Sequence, residues 1–148
     1  MSSFKRTLRS GLLAVGVVLA VVLGLTGVAS GAPAPAVTSE NIVHVTAQNY
    51  DQVVAQSKDK LVILDFGATW CPPCQEMKPV IERLADEYGG KFLLGEVDAD
   101  ESKQLLDKHN VQYLPTLVGL KSSQETDRHV GFEGEQELRS WIDAQLAH

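Results

Sequence analysis

From Asn41 onward, apolar positions fall into short blocks whose spacing alternates between that of strands and that of helices. Ile42 to Thr46 predicts a first strand, and Tyr50, Val53 and Val54 share one face of a helix running from about Ala47 to Ser57. Leu61 to Phe66 is apolar at every position but Asp65, the pattern of a strand covered on both faces. Met77, Val80, Ile81, Leu84, Ala85 and Tyr88 then recur at helical spacing, which predicts a helix from Cys74 to Tyr88 ended by Gly89-Gly90. Phe92 to Val97 reads as a strand, Ser102 to His109 as a short helix, and Thr116 to Leu120 and Arg128 to Val130 as strands. Glu135 to Leu146 closes the series as a helix with Leu138, Trp141 and Ile142 inward. Strands that mostly alternate with helices imply one sheet flanked by helices, an α/β fold. Between the last two strands, the polar link Lys121 to Asp127 is too short for a crossover helix, so these strands should form an antiparallel hairpin.

The N-terminal pattern differs. Lys5, Arg6 and Arg9 precede an uncharged stretch from Gly11 to about Ser30 that is apolar on every face, with no acidic residue before Glu40. This is the form of an export signal, read as residues 1–30, cleaved or retained as an anchor through residues 11–30. Small residues at Val28-Ala29-Ser30 and Ala34-Pro35-Ala36 resemble cleavage sites, and the Ala/Pro/Ser-rich segment 31–40 reads as a linker. Residues 41–148 then make one domain, which suits a chain of 148 residues that is 44% hydrophobic. The expected location is the extracytoplasmic or periplasmic side of a membrane. Ten of the thirteen basic residues lie beyond Arg9, against nineteen acidic ones, leaving a net charge of −9 that argues against nucleic-acid binding.

The chain's only two cysteines lie in Trp70-Cys71-Pro72-Pro73-Cys74, between the apolar run and the helix that follows it. Zinc would need four ligands, but there is no second cysteine pair, and His44, His109, His129 and His148 are scattered and read as surface residues. Two thiols two residues apart at a helix start can instead close a disulfide. The first sits in the positive end of the helix dipole, which favours its thiolate, the species that attacks other disulfides. With Cys71 as N-cap, Pro73 removes one backbone donor and leaves mainly the Cys74 N–H, so the help given to the thiolate is modest. Asp65 lies six residues before Cys71 on a strand that reads as buried. An unpaired buried carboxyl has a raised pKa, which suits a group that takes the proton from Cys74.

From about Ile42 to Ala147 the chain resembles the thioredoxin family. The likeness is carried by Leu64 to Cys74, by Pro79 in the following helix, by Tyr113-Leu114-Pro115-Thr116 and by Val130-Gly131-Phe132. The resemblance implies a thioredoxin fold: a mixed five-stranded sheet of order 1-3-2-4-5 flanked by four helices, with Pro115 cis. It further implies that Cys71 is the nucleophile, partly exposed beside Trp70, that the deeper Cys74 resolves the mixed disulfide, and that Asp65 accepts the proton. Trp70, Pro72, Pro73, Leu114, Pro115 and Gly131 would then border the bound substrate. Three positions depart from the family: Pro72 stands where glycine is usual, Glu96 where bacterial members often place a lysine near the aspartate, and Gly67 where they often carry a bulky aromatic.

The expected activity is reduction of protein disulfides by a monomer that needs no cofactor, recharged by a membrane electron donor. Alternatives are an oxidase or isomerase of the same fold, a Cu(I)-binding module and a redox sensor; turnover of a generic disulfide substrate separates them.

Overall fold

The computed structural model describes residues 39–148. The signal over residues 1–30 and most of the linker therefore lie outside the described residues. No helix among the described residues is long and apolar enough to cross a membrane.

Among the described residues five strands and four helices follow one another, alternating except where the fourth strand leads directly into the fifth. They are β1 (Ile42–His44), α1 (Tyr50–Ala55), β2 (Leu61–Gly67), α2 (Pro72–Glu87), β3 (Phe92–Asp98), α3 (Lys103–Lys108), β4 (Thr116–Lys121), β5 (Gln124–Val130) and α4 (Glu135–Ala147). The sheet order is β1-β3-β2-β4-β5, with β1, β3 and β2 parallel, β4 antiparallel to β2, and β5 antiparallel to β4. The expected fold class, sheet order and helix count are all present.

The apolar run of β2 occupies the middle of the sheet, where both faces are covered and alternate side chains serve different cores. Val62, Leu64 and Phe66 pack with Tyr50 and Val53 of α1 and Leu105 of α3. Leu61 and Ile63 point the other way, against Met77, Ile81 and Leu84 of α2 and Leu138 and Ile142 of α4. The same alternation sends Asp65 to the α2 face, the side on which α2 carries Cys74. Each fully buried aliphatic side chain contributes roughly 1.5–3 kcal/mol of transfer free energy. The central strand is thus a firm base for the loop at its end. In β3, Gly95 is paired between β1 and β2, and a Cβ there would lie 2.9 Å from both Leu64 Cδ2 and Val45 Cγ2.

Element boundaries differ from expectation where polar side chains intervene. The first helix starts at Tyr50 because the Asn49 side chain accepts the Thr46 N–H at 2.8 Å and donates to the His44 carbonyl, holding the preceding residues in a turn. The chain then tightens into a 3₁₀ turn, Gln56–Lys58. α2 starts at Pro72 instead of Cys74, both prolines fitting a first turn whose N–H groups need no helical partner. β5 begins at Gln124, four residues ahead of the expected Arg128, so most of the supposed link is strand. It is a polar edge strand with no apolar alternation to mark it, joined to β4 by Ser122 and Ser123, both at positive φ. The buried Ser57 accepts the N–H groups of both turn residues, Ser122 on its carbonyl and Ser123 on its hydroxyl, each at 2.7 Å.

Candidate active site

At the end of β2 the chain turns through Ala68-Thr69-Trp70 and enters α2 at Cys71, the N-cap residue. Cys71 and Cys74 form a disulfide, with Cα atoms 5.3 Å apart. The Cys74 N–H donates to Cys71 Sγ at 3.3 Å. Pro72 and Pro73 have no N–H to offer, so this bond and the helix dipole are the backbone stabilisation available to a Cys71 thiolate.

The expectation that Cys71 is the more open thiol is not met in the disulfide form: Cys71 is 4% exposed and Cys74 7%. Ala68 and Ala99 are buried with the two cysteines, and the half-buried Leu106 and Leu114 pack against the cluster. What distinguishes the cysteines is the space each borders. Cys71 lines a groove with Trp70, Pro72, Pro73, Tyr113 and Leu114. Cys74 lines a separate cavity of about 320 Å³ together with Asp65, Gly67, Lys78 and Glu96.

On the groove side, Trp70 is 64% and Tyr113 70% exposed, two of the three large hydrophobic side chains that remain open among the described residues. The Trp70 indole N–H donates to Asp100 Oδ2 at 2.8 Å, fixing the ring as one wall of the groove. The Leu114-Pro115 bond is cis, as expected. Pro115 is itself buried and, like Gly131, does not line the groove. Gly131, at φ +91°, instead donates its N–H to the Pro115 carbonyl at 2.9 Å, and the Thr116 hydroxyl donates to the Tyr113 carbonyl at 2.7 Å. Pro115 and Gly131 therefore hold the loop that carries Tyr113 and Leu114.

Behind the disulfide, Asp65 Oδ1 is fully buried and has no hydrogen-bond partner among the described residues. Burial, reinforced by Glu96, pushes the Asp65 carboxyl up to about 7; Lys78 pulls it down and Glu82 adds a smaller upward push. The expectation of an unpaired, raised carboxyl holds. Glu96 stands directly across from Asp65 in the β2–β3 register. Its carboxylate pairs with Lys78 of α2, whose ammonium also meets Glu82 Oε1 at 2.8 Å. A lysine thus does reach this carboxylate cluster, but from the helix instead of from β3. Lys78 follows Cys74 by four residues, one turn along the same helix face, which was the available signal for it. Asp100, anchoring Trp70 from beyond β3, had no such signal.

Gly67 stands between the two groups. A Cβ there would lie 3.7 Å from Cys74 Sγ and 3.9 Å from Asp65 Oδ1, so the missing side chain leaves open the space that both border. Among the histidines, His109 is not a simple surface residue. It is half-buried against Phe66, its Nε2 is 2.7 Å from the Tyr50 hydroxyl, and burial pulls its pKa down.

Residues 41–144 match the family model described as Thioredoxin. Thioredoxins of Staphylococcus aureus strains Mu50 and MW2 are each 39% identical to the chain over 84 residues, covering 57% of this chain and 81% of the relative.

Proposed function

Since the chain belongs to the thioredoxin family and is a thiol-disulfide oxidoreductase with a Cys-x-x-Cys pair, we propose that it reduces protein disulfides outside the cytoplasmic membrane. The observation that carries the reading is the disulfide placed between a groove and a buried carboxyl, with Cys71 bordering the first and Cys74 bordering the cavity that Asp65 lines. In the reduced protein, the Cys71 thiolate attacks a substrate disulfide lying in the groove. One substrate sulfur leaves as a thiolate and the other stays bonded to Cys71. Asp65, titrating near neutrality, takes the proton from Cys74. The Cys74 thiolate attacks Cys71 Sγ, the substrate leaves as a dithiol, and its two electrons have come from the protein. Trp70, Tyr113 and Leu114 supply the apolar contact for an extended substrate, while Pro115 and Gly131 set the loop.

Export rests on Lys5, Arg6 and Arg9 followed by the uncharged apolar stretch. In an oxidising compartment the spent disulfide needs a source of electrons, so a membrane electron donor is the implied partner. The protein acts as a monomer and no cofactor enters the chemistry.

Insulin reduction by the purified domain under a dithiol reductant tests the activity. Turnover lost in Cys71→Ser is expected, and absence of turnover in the unaltered chain would refute it. A reporter fused after His148 tests the location: it should appear on the extracytoplasmic side, and a cytoplasmic reporter would refute export.

A further inference from the structure

His109 has no task in the exchange just described, yet four elements converge on it. Its ring lies 5.7 Å from the buried Tyr50 ring of α1 and 5.4 Å from that of Phe66 in β2, and its Nε2 is 2.7 Å from the Tyr50 hydroxyl. Its N–H donates to the Leu105 carbonyl of α3 at 3.1 Å, and its carbonyl accepts from Arg128 of β5 at 3.0 Å. His109 also begins a segment that shapes the groove. It caps α3, Asn110 turns the chain at φ +54°, and Val111 donates its N–H back to the Leu106 carbonyl at 2.9 Å. Leu106 before this turn and Val111, Tyr113 and Leu114 after it all line the groove beside Cys71. Leu106, Val111 and Leu114 pack on the same core cluster as Tyr50, Phe66 and Leu105. The His109 ring therefore links that cluster to the groove wall.

We propose that His109 is a positioning residue that makes substrate binding in the groove acid-sensitive: its neutral ring holds the Val111–Leu114 wall in place, and its protonation releases that wall. The proposal rests on the oxidoreductase reading above and concerns how the groove is regulated. In the neutral ring, Nε2 accepts the Tyr50 O–H. A second proton turns that acceptor into a donor and leaves the hydroxyl hydrogen of a buried tyrosine without its partner. The surrounding charges also oppose the proton. Tyr50 of α1 stays a neutral phenol, its pKa raised by burial and by Asp51, and Phe66 of β2 brings no charge. Lys108 of α3, with Nζ 4.2 Å from the Tyr50 ring centroid, and Arg128 of β5 are both cations. Glu125 of β5 is the favourable charge, and it is already paired with Arg128. Burial is the chief cause that pulls the His109 pKa down, with Lys108 and Arg128 acting in the same direction, so the ring is neutral near pH 7. As the pH falls through the His109 midpoint, the new charge is relieved when the ring leaves its site, and the chain that leads to Leu114 moves with it.

The test joins two measurements on the reduced domain from about pH 7.5 down to about pH 4.5: the titration of the His109 ring protons by NMR, and KM and kcat for a synthetic disulfide-looped peptide. The peptide carries apolar residues beside its cysteines and no ionisable side chain, so that it does not titrate itself. The ring midpoint should lie below the ordinary 6.5. KM should rise through the same midpoint, reaching about tenfold one unit below it, because only the neutral fraction then presents the intact wall. No inflection in kcat is expected at that pH. His109→Gln, which keeps a hydrogen-bonding group but takes no proton, should hold its KM flat over the range. A KM without inflection at the measured midpoint, the same inflection in His109→Gln, or a ring midpoint at or above 6.5 would each overturn the proposal. Should His109→Gln fail to fold, coincidence of the KM and ring midpoints in the unaltered protein decides. Reduction of the peptide at about pH 7.5, where His109 is neutral, tests the oxidoreductase reading by itself, so the two failures are distinguishable.

Discussion

Replacing Asp65 by asparagine removes the ionisable group of the site while keeping nearly the same volume at the end of β2. In the folded protein the carboxyl titrates at about 7 against an ordinary value of 3.8, chiefly because burial disfavours the charge and Glu96 adds repulsion. That rise corresponds to about 4 kcal/mol between protonation states. The folded state therefore holds this proton more tightly than the unfolded chain. The stability that follows is complete below about pH 4 and is lost as the pH rises through about 7. Between pH 5 and pH 8, roughly 2–3 kcal/mol of it should disappear from the unaltered protein and not from Asp65→Asn. Urea denaturation of the two oxidised proteins at both pH values measures this directly. The variant should gain on the parent by that amount at pH 8 relative to pH 5. A stability difference that stays flat across this range would refute the argument that an unpartnered, ionisable Asp65 is held in the apolar site. In the same variant, release of the mixed disulfide should slow more than its formation, because Cys74 loses its proton acceptor.

Lys78→Met should move the Asp65 titration upward, and Glu96→Gln should move it downward, by removing an attractive and a repulsive charge respectively; the pH profile of mixed-disulfide release reads both. Cys74→Ser should trap covalent mixed disulfides with client proteins on non-reducing gels while Cys71→Ser traps none, and equal trapping would remove the assignment of Cys71 as nucleophile. Gly95→Ala should destabilise the domain by about 1–3 kcal/mol in denaturant titrations, since its Cβ would press against Leu64 and Val45 across β3; an unchanged midpoint would mean that the side chains yield freely.

The features legible in the sequence were those with a strong local signal. β2 was readable because its apolar run begins after Asp59-Lys60 and ends at Gly67, and α2 because six apolar positions recur at helical spacing ahead of Gly89-Gly90. Asp65 stood out as the one charge in that strand, and its burial follows from the strand's central place in the sheet. β5 was not readable over its first four residues, since an edge strand presents polar groups to solvent and loses the alternation that marks an inner one. The lysine near Asp65 was missed for another reason: its spacing from Cys74 marks the helix face that carries it, but its pairing with Glu96 spans a helix and a strand and is made only by packing. The cis-proline loop was placed correctly, but its two backbone anchors were not separable from the groove by sequence, because Gly131 acts through a hydrogen bond to the Pro115 carbonyl that only the folded chain forms. Similarly, the burial of Cys71 arises from Ala99, Leu106 and Leu114, all distant in sequence.

The claim that the protein is a reductant rests on how little stabilisation the Cys71 thiolate receives: one backbone N–H from Cys74, none from the two prolines between them, and a helix dipole. Equilibrating the purified domain against glutathione buffers of graded potential, with the dithiol fraction read by thiol alkylation, tests it most directly. A midpoint nearer about −270 mV than about −120 mV is expected. A dithiol that persists in a buffer poised near about −150 mV would instead identify an oxidase and contradict the account.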